Sequence, residues 1–361
     1  MKRTYGNAAR SQAPGRQQGL SLIELMVAMT LGAFITFGVI QVFSGNQETY
    51  RLNVGQARLQ ENMRFALDTL ADSIRAAGFT GCFSENDKAF VKVNQVGGET
   101  PYEVNFAAGA IAAHDGDALV VGADPTWTPA LTPLVGKIPT DAVKAESDVL
   151  TVRFADPVGS RLREVMANTA APIKVRPIAA PANAQYVALN YMVVSDCEKA
   201  TIFQAHTFAS EANGPTVTHN GGGIVPGNAL NDITASGQLY GTDATLHAIQ
   251  TQVYFVAPGA GVNNRGANPS SLWRRTGTGA PVELVEGIED LQVLFGVDTD
   301  GDGVPNRYRT FDTVTDTNDI VTMRIAVTAS SVDVVNDDAA APDGGLLLQT
   351  FTNTIAIRNR I

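Results

Sequence analysis

The residues best suited to chemistry lie in one run, "DTDGDGVPN", Asp298 to Asn306. Asp298, Asp300 and Asp302 occupy alternate positions and Gly303 follows them. This is the first half of an EF-hand calcium loop, where oxygens point inward and glycine permits the sharp turn. The carbonyl of Val304 and the side chain of Asn306 could add ligands. The twelfth position is Arg309, where such a loop needs a bidentate Glu, and no helix is expected on either side. Asp312, Asp316 or Asp319 would have to supply the missing carboxylate. Asp-Gly pairs also favour turns, so the run reads either as a calcium site or as a polar hairpin loop. Calcium is the one cofactor suggested.

Catalytic patterns are scarce. His114, His206, His219 and His247 are scattered and have no zinc spacing, and no G-x-S-x-G occurs. Gly221–Gly223 lacks a phosphate-loop Lys and reads as a loop. Asp115 and Asp117 read as a strand-entry turn, not an acid/base pair. Trp127 and Trp273 read as packing residues. Arg274 and Arg275 read as a solvated strand end. Nothing here points to an enzyme.

One further charge is out of place. Glu24 is the only charged residue among the 24 from Leu20 to Phe43. A helix of that length spans a hydrocarbon core of ~30 Å. Lys2, Arg3, Arg10 and Arg16 precede it with no acid among residues 1–19. The positive flank keeps the amino terminus cytoplasmic and sends the remainder outward. A secretory signal would have a shorter apolar run and a small-residue cleavage site after it.

The elements that must carry these residues follow from pattern. No proline occurs from Gly15 to Thr100, and Leu52, Leu59, Met63, Ala66, Leu70, Ile74 and Ala77 recur on one helical face. Glu61–Arg64 and Arg64–Asp68 have the spacing of surface ion pairs. One helix is therefore expected from about Leu20 to Ala77, stopped at Gly78. Its first half is membrane-like and its second half amphipathic. Strands are expected at Ala118–Val121, Val149–Phe154, Tyr186–Val194, Thr201–Thr207, Gln250–Val256, Leu291–Val297, Val321–Thr328 and Leu346–Ile357. The class is α+β: a long amino-terminal helix packed on a mostly antiparallel sheet. Segments are expected at 1–19 (leader), 20–43 (membrane half), 44–79 (amphipathic half) and 80–361 (β-rich body).

The chain has 361 residues and a net charge of −10. Its 44% hydrophobic content allows a sizeable core. Without residues 1–19 the balance falls to about −14. No general nucleic-acid binding is expected of such a body.

These features together carry a resemblance. "GLSLIEL" resembles the processing signal of type IV prepilins, in which a glycine precedes the cut and a glutamate stands fifth after it. The commoner residue after the cut is phenylalanine; here it is leucine. "ENMRFALDTLADSIRAAGFTGC", "VVSDCEKATIF", "SLWRR", "LVEGIEDLQVLFGVDTDGDG" and "TIAIRNRI" resemble the PilW group of minor pilins. Residues 86–144 and 208–246 contribute nothing to the resemblance. It implies cleavage between Gly19 and Leu20 by a prepilin peptidase, methylation of the new amine at Leu20, and a pilin-like fold. It also implies assembly with the major pilin and other minor pilins into a type IV pilus. Before assembly the chain would sit in the inner membrane through Leu20–Phe43, with its body in the periplasm. Glu24 would meet an amine, its own or a neighbour's; otherwise it snorkels to the headgroups. Outside the inner membrane, Cys82 and Cys197 are expected to oxidise, the alternative being two separate buried thiols. Type II secretion pseudopilins of the PulJ type share the signal and helix but are usually shorter. A membrane-anchored adhesin or binding module is the reading from another class.

Overall fold

A run of aliphatic and small residues without proline gives the first element, helix α1, Leu22–Ala76, 55 residues long. The computed structural model describes residues 21–83, 89–95, 100–106, 109–117, 124–177, 190–233, 237–335 and 344–358. The chain divides into two compact units, residues 1–53 and 54–361, and α1 contributes to both.

In the first unit the side chains of α1 are exposed along the apolar run, including Ile23, Phe34, Phe37 and Phe43. Its 18-residue apolar window has a mean hydropathy of 2.0 and no buried residue. By length and composition this helix can cross a membrane. Thr30 and Thr36 return their hydroxyls to helix carbonyls at Met26, Val27 and Gly32.

In the second unit α1 is amphipathic. Leu59, Met63, Ala66, Leu70, Ile74 and Ala77 are buried, as the helical period requires. Arg64 and Asp68 pair on the exposed face at 3.7 Å. Gly78 ends the helix with a φ of 75°, a conformation that costs glycine nothing.

The body is built on sheets. A ten-stranded sheet is organised by the 14-residue strand Thr245–Pro258. That strand pairs antiparallel with Val149–Ala155, Tyr191–Ser195 and Ser270–Thr276. One pairing in this sheet is parallel, Phe90–Val91 beside Ala200–Gln204. A second sheet has four strands in the order Arg307–Arg309, Ile288–Val297, Ile320–Ser330, Leu348–Ala356, all antiparallel. A third, Ile173–Lys174, Thr216–Thr218 and Thr207–Ala209, is small. The fold is α+β, with a pilin-like arrangement.

The principal core lies where α1 meets both larger sheets. Leu59, Met63, Leu70 and Ile74 join Val152, Tyr254, Leu291, Phe295 and Ile325 in one cluster. Ile320–Ser330 supplies it by alternation: Met323, Ile325, Val327 and Ala329 are buried, while Thr322, Arg324, Ala326 and Thr328 are partly exposed. Two polar anchors add register. Ser73 Oγ lies 2.7 Å from both Gln252 Oε1 and Tyr254 Oη, and Asn62 donates to the Glu286 carbonyl at 3.0 Å.

Two readings need correction. Asp115 lies inside a strand, Ile111–Gly116, and not in the turn before one. The segment 118–121, expected to be that strand, falls outside the described residues. Arg275 is buried, because the register of Ser270–Thr276 on Thr245–Pro258 turns it inward toward Glu103.

Candidate functional site

Three groups of residues were singled out by type and spacing. The first is the amino-terminal signal. Gly19 and Leu20 lie outside the described residues. Glu24 sits in the first turn of α1, where a carboxylate interacts favourably with the helix dipole. On either side of it Ile23 and Leu25 are exposed. Such a face offers hydrocarbon to its surroundings and one acid, which requires a cation or water.

The second is the acidic loop. It connects Ile288–Val297 to Arg307–Arg309, so the antiparallel pairing of those strands brings its ends together. Asp298, Asp300 and Asp302 each place a carboxylate oxygen within 4.8 Å of the others. Asp298 is the organiser: Oδ1 accepts from the amides of Asp300 and Gly301, and Oδ2 from Gly303 at 2.7 Å. The Gly303 amide foremost holds its carboxyl below the usual value. Asp302 accepts from the Val304 amide. Asn306, expected as a ligand, instead accepts from the Thr299 amide and hydroxyl at 2.6 and 3.0 Å. Asp312 and Asp316 each commit an oxygen to their own turns. The loop thus gathers three carboxylates, the start of an oxygen-ligand set for a hard cation.

The third is the cysteine pair. Cys82 and Cys197 form a disulfide, with Cα atoms 4.7 Å apart and a sequence separation of 115. Local contacts bring the two together. Just past α1, the Gly78 amide donates to the Arg153 carbonyl and the Ala155 amide to the Phe79 carbonyl. The Ser195 hydroxyl donates to the Thr80 carbonyl at 2.7 Å. A Cβ at Gly81 would collide with that hydroxyl, so glycine is required where the two segments pass.

Charged residues in the interior escaped sequence reasoning. Arg153 is almost wholly buried, as is Lys92. The Lys92 ammonium reaches His219 Nδ1 at 2.8 Å and the carbonyls of His219 and Asn231 at 3.0 Å. Burial lowers its pKa to about 8 and that of His219 to about 4. The pair fastens the 219–231 loop to the sheet. Asp148 is buried with Asp115 and Asp290 nearby, and burial pushes its carboxyl up to about 7. Only long-range partners could have revealed these roles, and none has a local signature. Trp127 donates to the Ser147 carbonyl, and both tryptophans pack partly buried against one cluster.

Comparison with known families follows the same division. Residues 253–359 match the Type IV Pilus-assembly protein W family, and residues 14–40 match the prokaryotic N-terminal methylation motif. No curated protein and no solved structure shows significant similarity to the chain. The first match covers the four-stranded sheet and part of the larger sheet that receive the second half of α1, but not Ile111–Gly116 or Val149–Ala155; the second covers most of its apolar half. The chain is similar to pilus-assembly protein W, with the amino-terminal motif of prepilins, the signature of a type IV pilus-related minor pilin.

Proposed function

We propose that this minor pilin is anchored in the inner membrane by Leu20–Phe43, cut between Gly19 and Leu20, methylated at the new amine, and assembled into a type IV pilus. There it caps or primes the fibre together with other minor pilins, and supports pilus biogenesis. Its role is structural, and we assign it no reaction. The observation that carries this reading is the apolar half of α1, with every residue of its apolar window exposed and a single carboxylate near its start.

In lipid that surface meets acyl chains; in a filament it meets the matching helices of other subunits. Tight packing between helices is the gain on leaving lipid. Glu24 then selects position, because a carboxylate in hydrocarbon is costly until it meets a cation. Cleavage after Gly19 supplies such a cation at residue 20, one helical turn away. The body, residues 80–361, stays in the periplasm and then outside the cell, where the disulfide is stable. The loop Asp298–Asn306 is assigned calcium as a structural ion, with Asp298, Asp300 and Asp302 as ligands.

Amino-terminal sequencing of protein recovered from sheared pili tests the proposal. Methyl-leucine at position 20 is the expected result. Recovery in the membrane fraction alone, with residues 1–19 attached, would overturn it.

A further inference from the structure

A cavity of about 410 Å³ opens in the body between residues 100–105, the strand Ile111–Gly116 and the turn Thr132–Leu134. The volume lies in the range of small-molecule sites. Ala113, His114 and Arg153 are buried at its floor, and Tyr102, Pro133, Lys137 and Phe311 stand partly or fully exposed around it. Most of this lining belongs to residues 100–153, outside both family matches.

The charge in the cavity runs against the charge of the chain. Net charge is −10, yet the described lining residues include Arg153 and Lys137 and no carboxylate. Arg153 is 1% exposed. Its Nε donates to the Tyr102 carbonyl and its Nη1 to the Gly109 carbonyl, each at 3.0 Å. Both partners are neutral carbonyls, and the Tyr102 side chain lies against the guanidinium as well. The nearby carboxylate, Glu103, is already bonded through Oε1 to Arg275. A buried guanidinium without a direct counter-ion is costly. Arg153 and Lys137 lie 4.6 and 6.0 Å from the Tyr102 ring centre. His114 must donate from Nδ1 to the Pro129 carbonyl, 2.6 Å away. Burial depresses its pKa and so favours the neutral ring, in which Nδ1 as donor leaves Nε2 as acceptor.

We propose that this cavity binds a small hydroxylated carboxylate of the uronic-acid class. Arg153 and Lys137 hold the carboxylate, His114 accepts from a hydroxyl, and Tyr102, Pro133 and Phe311 cover the apolar face of the ring. One guanidinium edge and one ammonium suit the two oxygens of a carboxylate; a phosphate dianion would leave acceptors unmet. The inference does not depend on the filament role, since the unassembled chain has the same cavity.

The test is calorimetric titration of the full-length chain, in a neutral detergent without a sugar headgroup, with D-glucuronate, D-glucose and inorganic phosphate. Glucuronate is expected to bind and glucose to give no heat. Lys137→Ala, at the partly exposed rim, should weaken glucuronate at least tenfold while leaving the unfolding temperature unchanged. Absence of glucuronate binding, phosphate binding of equal strength, or an unaffected Lys137→Ala variant would each overturn the proposal.

Discussion

Arg275 and Glu103 form an ion pair inside the body: both guanidinium Nη atoms lie 3.3 Å from Glu103 Oε1, and each residue is 5% exposed. Removing one partner strands the other charge. Glu103→Ala should cost about 3–5 kcal/mol by denaturant titration of the full chain. Glu103→Leu combined with Arg275→Met should recover much of that loss. A double variant no more stable than Glu103→Ala would show that the pair is not the source.

The disulfide closes a long loop, and its removal frees the unfolded chain. Cys82→Ser with Cys197→Ser should lower stability by about 2–5 kcal/mol. The reduced wild type should unfold with the double variant. A wild type equally stable with and without reductant would contradict this.

Acid should stabilise the body through Asp148. Its carboxyl is raised by burial from the ordinary 3.8 to about 7, so between those values the folded chain holds a proton that the unfolded chain has released. The cost of ionising it is absent below pH ~4 and complete above pH ~7. Stability should therefore fall as pH rises through this window, and Asp148→Asn should flatten the slope. The variant also replaces one of two oxygens, which accept from the Gly116 and Val293 amides, so it should be less stable at low pH. A slope unchanged in Asp148→Asn would assign it elsewhere.

Calcium binding at the acidic loop predicts heat on titration of the calcium-stripped chain, lost in Asp300→Ala. Asp300 is the variant of choice because Asp298 also shapes the turn through three backbone amides. A silent titration of the wild type would end the assignment.

Glu24→Ala should insert in the membrane normally and be depleted from sheared pili, as immunoblots of the two fractions would show. Full incorporation of the variant would remove Glu24 from assembly.

How far the sequence could be read depended on the range of the forces involved. α1 was legible because its signals are local: the apolar run, the period of Leu59, Met63, Leu70 and Ile74, and the stop at Gly78. Ile320–Ser330 was legible by alternation. Tyr191–Ser195 is buried throughout, so periodicity could not mark where it begins. Arg275 was misread because its partner lies 172 residues earlier and adjacent arginines look solvated. The acidic loop revealed its three carboxylates, but not that Asn306 turns to Thr299. The cavity had no local signature at all, being assembled from several separate segments with Arg153 in the middle of a hydrophobic strand.

In the proposed filament the subunit would be pulled lengthwise, and the chain leaving α1 meets several ties rather than one. Beyond Ala76 the chain does not reach a swivel. Residues 78–82 run into backbone bonds with Arg153 and Ala155, a hydroxyl bond from Ser195, and the covalent link to Cys197. Tension leaving the helix is shared among neighbouring strands as shear, with one sulfur bridge in parallel. The bridge sets what the joint can bear after the weaker contacts give way, so in a reducing medium the joint would yield at a lower force than it does when oxidised.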